Sequence, residues 1–190
     1  MKQSHCKNIL VAGGTGLVGA NLVRKLHAMG AAVSATYFSH APSFLKECFQ
    51  RSDLTQWSDC QKVVRGMQDV ICCAAQTGGI SGIVGQSEHW ASVNLQISLN
   101  LLEACRIQEV DRIVVISSST VYPELNRPIR EEDLDYNLLP APPYELIGEA
   151  NRFLERACRF YTAKKGMRIG ILRPSNIYGP YDHFDEERSH

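Results

Sequence analysis

The feature that most constrains this chain is a glycine-rich turn between a short apolar run and a helical pattern. Residues 8–12 read NILVA, and residues 13–19 read GGTGLVG. Apolar residues then recur at helical spacing over 20–29, and Gly30 follows as a stop signal. This order predicts a buried strand, a tight turn and an amphipathic helix.

Three of these glycines have separate mechanical roles. Gly13 permits the tight turn, Gly16 lets the backbone approach a pyrophosphate, and Gly19 lets the helix pack closely on the strand. The helix N-terminus adds unpaired N–H groups and the positive end of a dipole. No Gly-Lys-Ser/Thr follows, which disfavours a triphosphate-binding loop. The turn therefore predicts dinucleotide binding by Gly13, Gly14, Thr15, Gly16, Leu17, Val18 and Gly19.

The alternation of strand and helix continues along the chain. Further strands are predicted at 32–37, 69–74, 112–117 and 168–172, and further helices at 55–66 (capped by Thr55), 87–106 and 144–161. Near-continuous Val/Ile runs separated by helices are typical of a parallel sheet covered on both faces. The sequence thus predicts an α/β fold with a doubly wound parallel sheet, the Rossmann fold.

The balance of charges argues against nucleic acid and anionic membranes as partners. Twenty Lys and Arg residues offset twenty Asp and Glu residues, and no basic stripe is present to hold nucleic acid or an anionic membrane. No apolar run approaches the roughly 20 residues of a membrane span, so we expect a cytoplasmic protein.

The seven cysteines show no CxxC pair and no Cys/His ligand spacing, so we expect no metal site. Cys72 and Cys73 are adjacent in a strand pattern and should point to opposite faces of the sheet. Small buried hydrophobes in a reducing compartment are the favoured interpretation of these thiols.

The spacing GGTGxxG resembles the extended short-chain dehydrogenases/reductases, specifically the NAD-dependent epimerase/dehydratase family. Four later segments match that family in order, namely Asp53-Leu54, Ala74-Ala75, SSSTVY at 117–122 and RPSNIYGP at 173–180. The resemblance implies that Asp53 holds the adenine ring. It also implies cofactor-binding roles for Leu54, Ala74, Ala75, Tyr144, Pro174 and Asn176.

Cofactor choice stays open at this stage. The acid that usually binds the adenosine ribose would fall on Tyr37, with Phe38, Ser39 and His40 after it. No carboxylate stands there to repel a 2′-phosphate, and no arginine is at hand to bind one. The implied cofactor is NADP or NAD.

The family resemblance also implies a reaction centre. Ser118 aligns with the catalytic hydroxyl, and Tyr144 with the tyrosine that opens the next helix as general acid or base. The family motif is Tyr-x-x-x-Lys, in which the lysine binds the nicotinamide ribose, but Gly148 stands in its place. A lysine substituted at Gly148 is therefore expected to raise turnover.

Other segments resemble the nucleotide-sugar epimerase/reductases that include GDP-L-fucose synthase. They are QTGGI at 76–80, SSTVYP at 118–123 and YGPYDHF at 178–184, followed by Ser189-His190. This likeness implies a nucleotide-sugar substrate and a proton-moving role for His190. Thr120 replaces the cysteine of that group. The implied substrate-binding residues are Gly78, Gly79, Ser119, Thr120 and Asn176.

Family members usually continue well beyond the last matched motif. We therefore expect an NAD(P)-binding Rossmann domain over 1–180 and the start of a truncated substrate-binding region over 181–190. A homodimer or a second chain is expected to complete the site. Two functions follow from the resemblance: an epimerase or reductase that transfers hydride at a sugar carbon, or a non-catalytic dinucleotide-binding module without the lysine and the substrate domain.

Overall fold

Six parallel strands form one sheet in the order β3-β2-β1-β4-β5-β6. The computed structural model describes residues 7–77 and 79–182. The strands are β1 (Asn8–Ala12), β2 (Ala32–Tyr37), β3 (Phe49–Arg51), β4 (Asp69–Cys72), β5 (Arg112–Ile116) and β6 (Arg168–Leu172). The helices are α1 (Leu17–Ala28), α2 (Trp57–Val64), α3 (Gly79–Ile107) and α4 (Glu145–Lys165). The predicted doubly wound fold is confirmed.

The sheet is buried on both faces because alternate residues of each strand serve different cores. In β1, Leu10 and Ala12 join the larger core with Leu101 of α3 and Leu154 of α4. Val11 points the other way, into a smaller core beneath α1. This alternation explains why the strands read as continuous apolar runs.

The adjacent cysteines follow the same alternation. Cys72 lies in the larger core, and Cys73 packs against the smaller one. Cys60, Cys105 and Cys158 are fully buried in the larger core. The prediction of buried, hydrophobe-like thiols holds at these positions, whereas Cys48 is half-buried and Cys6 lies outside the described residues.

The element boundaries differ from the predictions mainly at helix ends. α3 begins at Gly79 instead of 87, and α4 continues to Lys165 instead of ending at 161. Thr55 does not cap α2; its hydroxyl donates to Asp53 Oδ1 at 2.7 Å, and Gln56 is the N-cap. The three-residue strand β3 was not predicted.

Within the described ranges, none of the helices is both long enough and apolar enough to cross a membrane.

Candidate active site in the cleft above the sheet

The glycine turn is wedged between the carboxyl ends of β2 and β4. Gly13 has a φ of 81°, which favours glycine, and its N–H donates to Thr36 Oγ1 at 3.0 Å. A Cβ on Gly13 would lie 2.6 Å from the Ala74 Cα atom. At Gly19, a Cβ would collide with the Gly13 carbonyl oxygen. The turn therefore tolerates no side chain at either position.

The amino end of α1 is left open toward solvent. Gly16 is its N-cap and supplies no side-chain hydrogen bond, and the first turn carries no acidic residue. The unpaired N–H groups and the positive dipole end are thus available to an anion. A Cβ on Gly16 would contact only the Gly13 carbonyl oxygen, at 3.6 Å. The space above Gly16 is open to a ligand.

A cavity of about 720 Å³ runs from this helix end along the carboxyl ends of β4, β5 and β6. Many of the predicted site residues line it, namely Gly16, Leu17, Val18, Ala74, Ala75, Ser118, Ser119, Thr120, Tyr144, Pro174 and Asn176. The structure thus brings the predicted phosphate turn and the predicted reaction centre into one cleft. Their roles remain predictions.

Other predicted residues lie elsewhere. Gly13, Gly14, Thr15 and Gly19 belong to the turn but do not line the cavity. Gly79 is the first residue of α3, whereas Gly78 and His190 lie outside the described residues.

Asp53, predicted to hold the adenine, and its neighbour Leu54, predicted to bind the cofactor, are also away from the cavity. Asp53 Oδ1 accepts bonds from the N–H and hydroxyl of Thr55, at 3.0 and 2.7 Å. The Leu54 side chain is buried in the larger core, so this side chain cannot contact a cofactor. The cofactor-binding roles of Asp53 and Leu54 stay predictions, and any contact of Leu54 with a cofactor would use its backbone.

The Ser118 hydroxyl makes one local hydrogen bond, as an acceptor. Its hydroxyl oxygen caps the short 3-10 turn Ser119–Val121 by accepting from the Thr120 N–H at 3.1 Å. The Ser118 hydroxyl hydrogen is left to point at a ligand. Nearby, Thr120 Oγ1 is buried with no partner among the described residues. Such an orphaned polar atom in the wall of the cleft fits a site that a polar ligand completes.

Gly148 does not face the cleft, contrary to the interpretation of it as a lysine position. A Cβ there would contact the Thr120 carbonyl oxygen and would lie 2.5 Å from Pro140 Cβ. Tyr144 lines the cavity as the N-cap of α4, but position 148 is packed on the neighbouring 3-10 turn. The packing gives no support to the expected gain in turnover from a lysine here, since a side chain has no room at position 148.

Beneath Ser118, a buried ion pair ties the loops after β5 and β6 to α4. Glu155 is fully buried and accepts from Arg173 Nε and Nη2 at 2.8 and 2.7 Å. Its Oε1 also accepts from the Ser117 hydroxyl at 2.7 Å. Arg173 Nη1 donates to the Tyr122 hydroxyl at 2.8 Å. This network holds Ser117 and Tyr122, which both line the cavity.

Electrostatics keep Glu155 ionised. Burial raises the pKa of this carboxyl, but the hydrogen bonds from Arg173 and Ser117 outweigh that effect, and the net pKa lies below its usual range. The Arg173 pKa is raised, chiefly by its hydrogen bonds to Glu155. The pair is therefore charged at neutral pH.

The cleft itself holds few charges. Among the described residues that line it, none is Lys, Arg or His, and Glu124 is the one carboxylate. Burial raises the pKa of the Cys73 thiol to about 12, so this cleft residue is no thiolate nucleophile at neutral pH. In the described part of the chain, no group of three or more His, Cys, Asp and Glu could hold a metal ion.

Sequence reasoning missed several residues of the cleft. Trp90 and Asn94 come from α3, and Ile147, Asn151 and Leu154 come from α4. Residues 147, 151 and 154 share one face of a helix, so spacing groups them together but does not say that this face lines the cleft.

Comparison with known proteins supports the predicted family. The sequence profile of the NAD dependent epimerase/dehydratase family matches residues 9–190, and the chain belongs to this family.

Two curated relatives within this range of similarity are named for GDP-linked sugars. The chain is 32% identical over 184 residues to GDP-mannose 3,5-epimerase 1 of Oryza sativa subsp. japonica, covering 91% of this chain and 47% of that protein. It is 31% identical over 186 residues to GDP-L-fucose synthase 1 of Arabidopsis thaliana, covering 96% and 54%. The chain thus spans about half the length of the curated relatives it matches.

Solved structures share the fold. The UDP-glucose 4-epimerase of Thermus thermophilus in complex with NAD is 27% identical, with a TM-score of 0.74 over 91% of this chain and 56% of that one. The GDP-mannoheptose C4 reductase of Campylobacter jejuni with NADP bound has a TM-score of 0.75 at 20% identity, over 91% and 52%.

The packing at Gly148 generates one prediction. Gly148→Ala should lower the free energy of unfolding by about 1–3 kcal/mol, because the added methyl forces Thr120 and Pro140 apart. Urea unfolding measures the change. The control is Gly170→Ala, where a Cβ has its nearest neighbour at 4.0 Å. A Gly148→Ala protein as stable as the control would contradict the packing described.

The buried ion pair generates a second prediction. Since the folded pKa of Glu155 is lowered, its stabilisation is complete above the unfolded pKa of about 4.3 and is lost as the pH falls through the folded value. Glu155→Gln should therefore be less stable than the natural protein at neutral pH, with the gap closing as the pH falls through the folded pKa of Glu155. Urea midpoints across this range test it. The exposed Glu47→Gln should show no such gap, and a constant gap for Glu155→Gln would refute the ionic contribution.

Proposed function

We propose that this chain binds NAD(P) and a nucleotide sugar and transfers hydride at a sugar carbon, as an epimerase or reductase. The observation that carries the proposal is that one cavity joins the open end of α1 at Gly16 to Ser118 and Tyr144. The names of the relatives point to GDP-linked sugars, since they include a GDP-mannose epimerase and a GDP-fucose synthase.

In this proposal the diphosphate of the cofactor lies on the N–H groups that begin α1. The bound nicotinamide supplies or accepts the hydride. Ser118 donates its hydroxyl hydrogen to the sugar oxygen, because the Thr120 N–H already occupies one lone pair of its oxygen. Tyr144 gives or takes the proton of that oxygen. Ser119, Thr120 and Asn176, with Gly78 and Gly79, contact the sugar.

The test uses the two tryptophans of the chain. Trp90 lines the cleft, so energy transfer from it to NADPH reports binding, and Trp57→Phe removes the other fluorophore. Gly16→Ala should weaken NADPH binding about tenfold or more without changing the melting temperature, because its methyl group would occupy the approach of the diphosphate. Absence of saturable binding of NADPH and NADH to the natural protein would defeat the proposal.

Chemistry is tested by the loss of reduced-nicotinamide absorbance in single turnover with 4-keto-6-deoxyhexoses linked to GDP or to dTDP. Ser118→Ala should retain NADPH binding, and Ser118→Ala and Tyr144→Phe should each slow this step about a hundredfold. Exposed Tyr178→Phe is the control.

A second candidate function is a dinucleotide-binding module without turnover. The cleft carries no cationic side chain among its described lining residues, and this favours it. Equal inertness of the natural protein and Tyr144→Phe, both binding NADPH, would establish the module instead of the enzyme.

The end of β2 supports NADP over NAD. Arg51 of β3 pairs with Tyr37 in the sheet, and its Nε donates to the Phe38 carbonyl at 3.2 Å. An arginine therefore lies at the end of β2, where the sequence analysis expected none and where this proposal puts the adenosine ribose. Ser39 and His40 stand beside it and are exposed. None of the ion pairs of the described residues uses Arg51. Its guanidinium is available to a 2′-phosphate.

Arg51→Ala should weaken NADPH binding about tenfold and leave NADH binding unchanged, because the 2′-phosphate that Arg51 would contact is present only in NADPH. Energy transfer from Trp90 measures both affinities. Arg65→Ala is the control, since residue 65 lies by Gly66, whose carbonyl binds Asn8 at the opposite end of the sheet. An equal loss for NADPH and NADH would contradict this role.

The expected homodimer or completing chain is part of the proposal too. It is supported by the edge strand β6, where Leu172 is half exposed.

A further inference from the structure

α4 presents two neighbouring faces to the rest of the protein. One face lines the cleft with Ile147, Ala150, Asn151 and Leu154, and Tyr144 stands at its start. The other is buried against the loops, and its residues are Gly148, Arg152 and Glu155.

Contacts fix this second face. Gly148 abuts Thr120, the Arg152 Nε donates to the Val121 carbonyl at 2.7 Å, and Glu155 binds Ser117. The helix cannot turn about its axis without breaking all of these contacts.

Residues four apart on a helix lie one above the other on the same face. Tyr144 and Gly148 do not form such a pair on the cleft, because position 148 is packed away from it. Ile147 and Asn151 do form one, since both line the cavity. From this side of the cleft, an isoleucine and a neutral amide therefore face a ligand.

Asn151 differs from Asn94, the other helical asparagine among the described lining residues of the cleft. The Asn94 amide is bonded to the Gln76 backbone: its Oδ1 accepts from the Gln76 N–H at 2.7 Å, and its Nδ2 donates to the Gln76 carbonyl at 3.0 Å. Asn151 is half-buried, and its side chain has no hydrogen-bond partner among the described residues. It offers two donor hydrogens and an acceptor oxygen to whatever occupies the cavity.

The order of the strands indicates which part of a bound dinucleotide would lie beside Asn151. Strand order reverses at β1, so each half of the sheet takes one nucleotide, with the diphosphate between them at α1. Arg51 and Tyr37 lie in the half that includes β2 and β3, and α4 covers the half that includes β5 and β6. The nicotinamide nucleotide therefore lies on the side of Asn151.

We infer that Asn151 is a cofactor-binding residue whose amide holds the ribose hydroxyls on the nicotinamide side, as a neutral group. The inference rests on the proposed function, since it requires a dinucleotide in the cleft. It has an electrostatic consequence. Without an ammonium group among the described lining residues, the positive charge of an oxidised nicotinamide meets no repulsion from this wall.

Two substitutions separate this role from a structural one. Asn151→Leu keeps the volume but removes the hydrogen bonds, and it should weaken NADPH binding about tenfold. Asn151→Lys keeps a donor but adds a charge. It should hold NADPH within about twofold of the natural affinity while weakening NADP⁺ about fivefold, through charge repulsion. Energy transfer from Trp90 gives the NADPH affinity, and displacement of NADPH gives that of NADP⁺.

The control is Asn137→Leu, which changes an exposed asparagine of a loop that does not line the cavity and should leave both affinities unchanged. Thermal melts verify that each variant is folded. Natural affinity in folded Asn151→Leu would overturn the inference and leave the proposed function standing. Equal losses of NADPH and NADP⁺ in Asn151→Lys would also overturn it, because a packing defect does not distinguish the two redox forms. No binding by the natural protein would overturn the proposed function and this inference together.

Discussion

The cleft depends on the close approach of the first turn to the end of β4. Gly13 lies so near Ala74 that a methyl group would not fit between them, and its left-handed backbone turns the chain into α1. The N-terminus of α1 is thereby aimed along the carboxyl ends of the strands, where a doubly wound sheet binds its ligands. A side chain at Gly13 would move both the helix and the wall of the cavity.

A second constraint acts at the other end of the cleft. Glu155 is buried because α4 packs on β5 and β6, and its charge is tolerated because Arg173 and Ser117 satisfy it. A buried ion pair of this kind is weak evidence for net stability, but removing one partner leaves a costly unpaired charge. The pair instead fixes geometry: it connects α4 to the loops that carry Ser118 and Asn176, so the two walls of the cleft keep one spacing.

Much of the fold could be predicted from the sequence because its main signals are local. The glycine turn and the apolar runs located five of the six strands and all of the helices. β3 was missed because Phe49–Arg51 is too short to show a period, and only its pairing with β2 makes it a strand. Arg51 near the end of β2 was missed for the same reason, since a lateral sheet neighbour is invisible along the chain.

The cleft face of α4 was harder to predict. A motif anchored on Tyr144 placed the partner position at Gly148, yet the tertiary contacts of Gly148, Arg152 and Glu155 determine the rotation of the helix. Helical spacing alone allows either face to be inward, and only the observed packing selects Ile147 and Asn151.

The buried thiols have a practical consequence. Cys60, Cys72, Cys105 and Cys158 lie together in the larger core, and burial holds their pKa values above the ordinary thiol range. An alkylating reagent reacts with the thiolate, so these sulfurs are doubly protected, by exclusion of the reagent and by retention of the proton. Their rate of modification therefore reports the opening of the core, and the measurement requires no engineered cysteine.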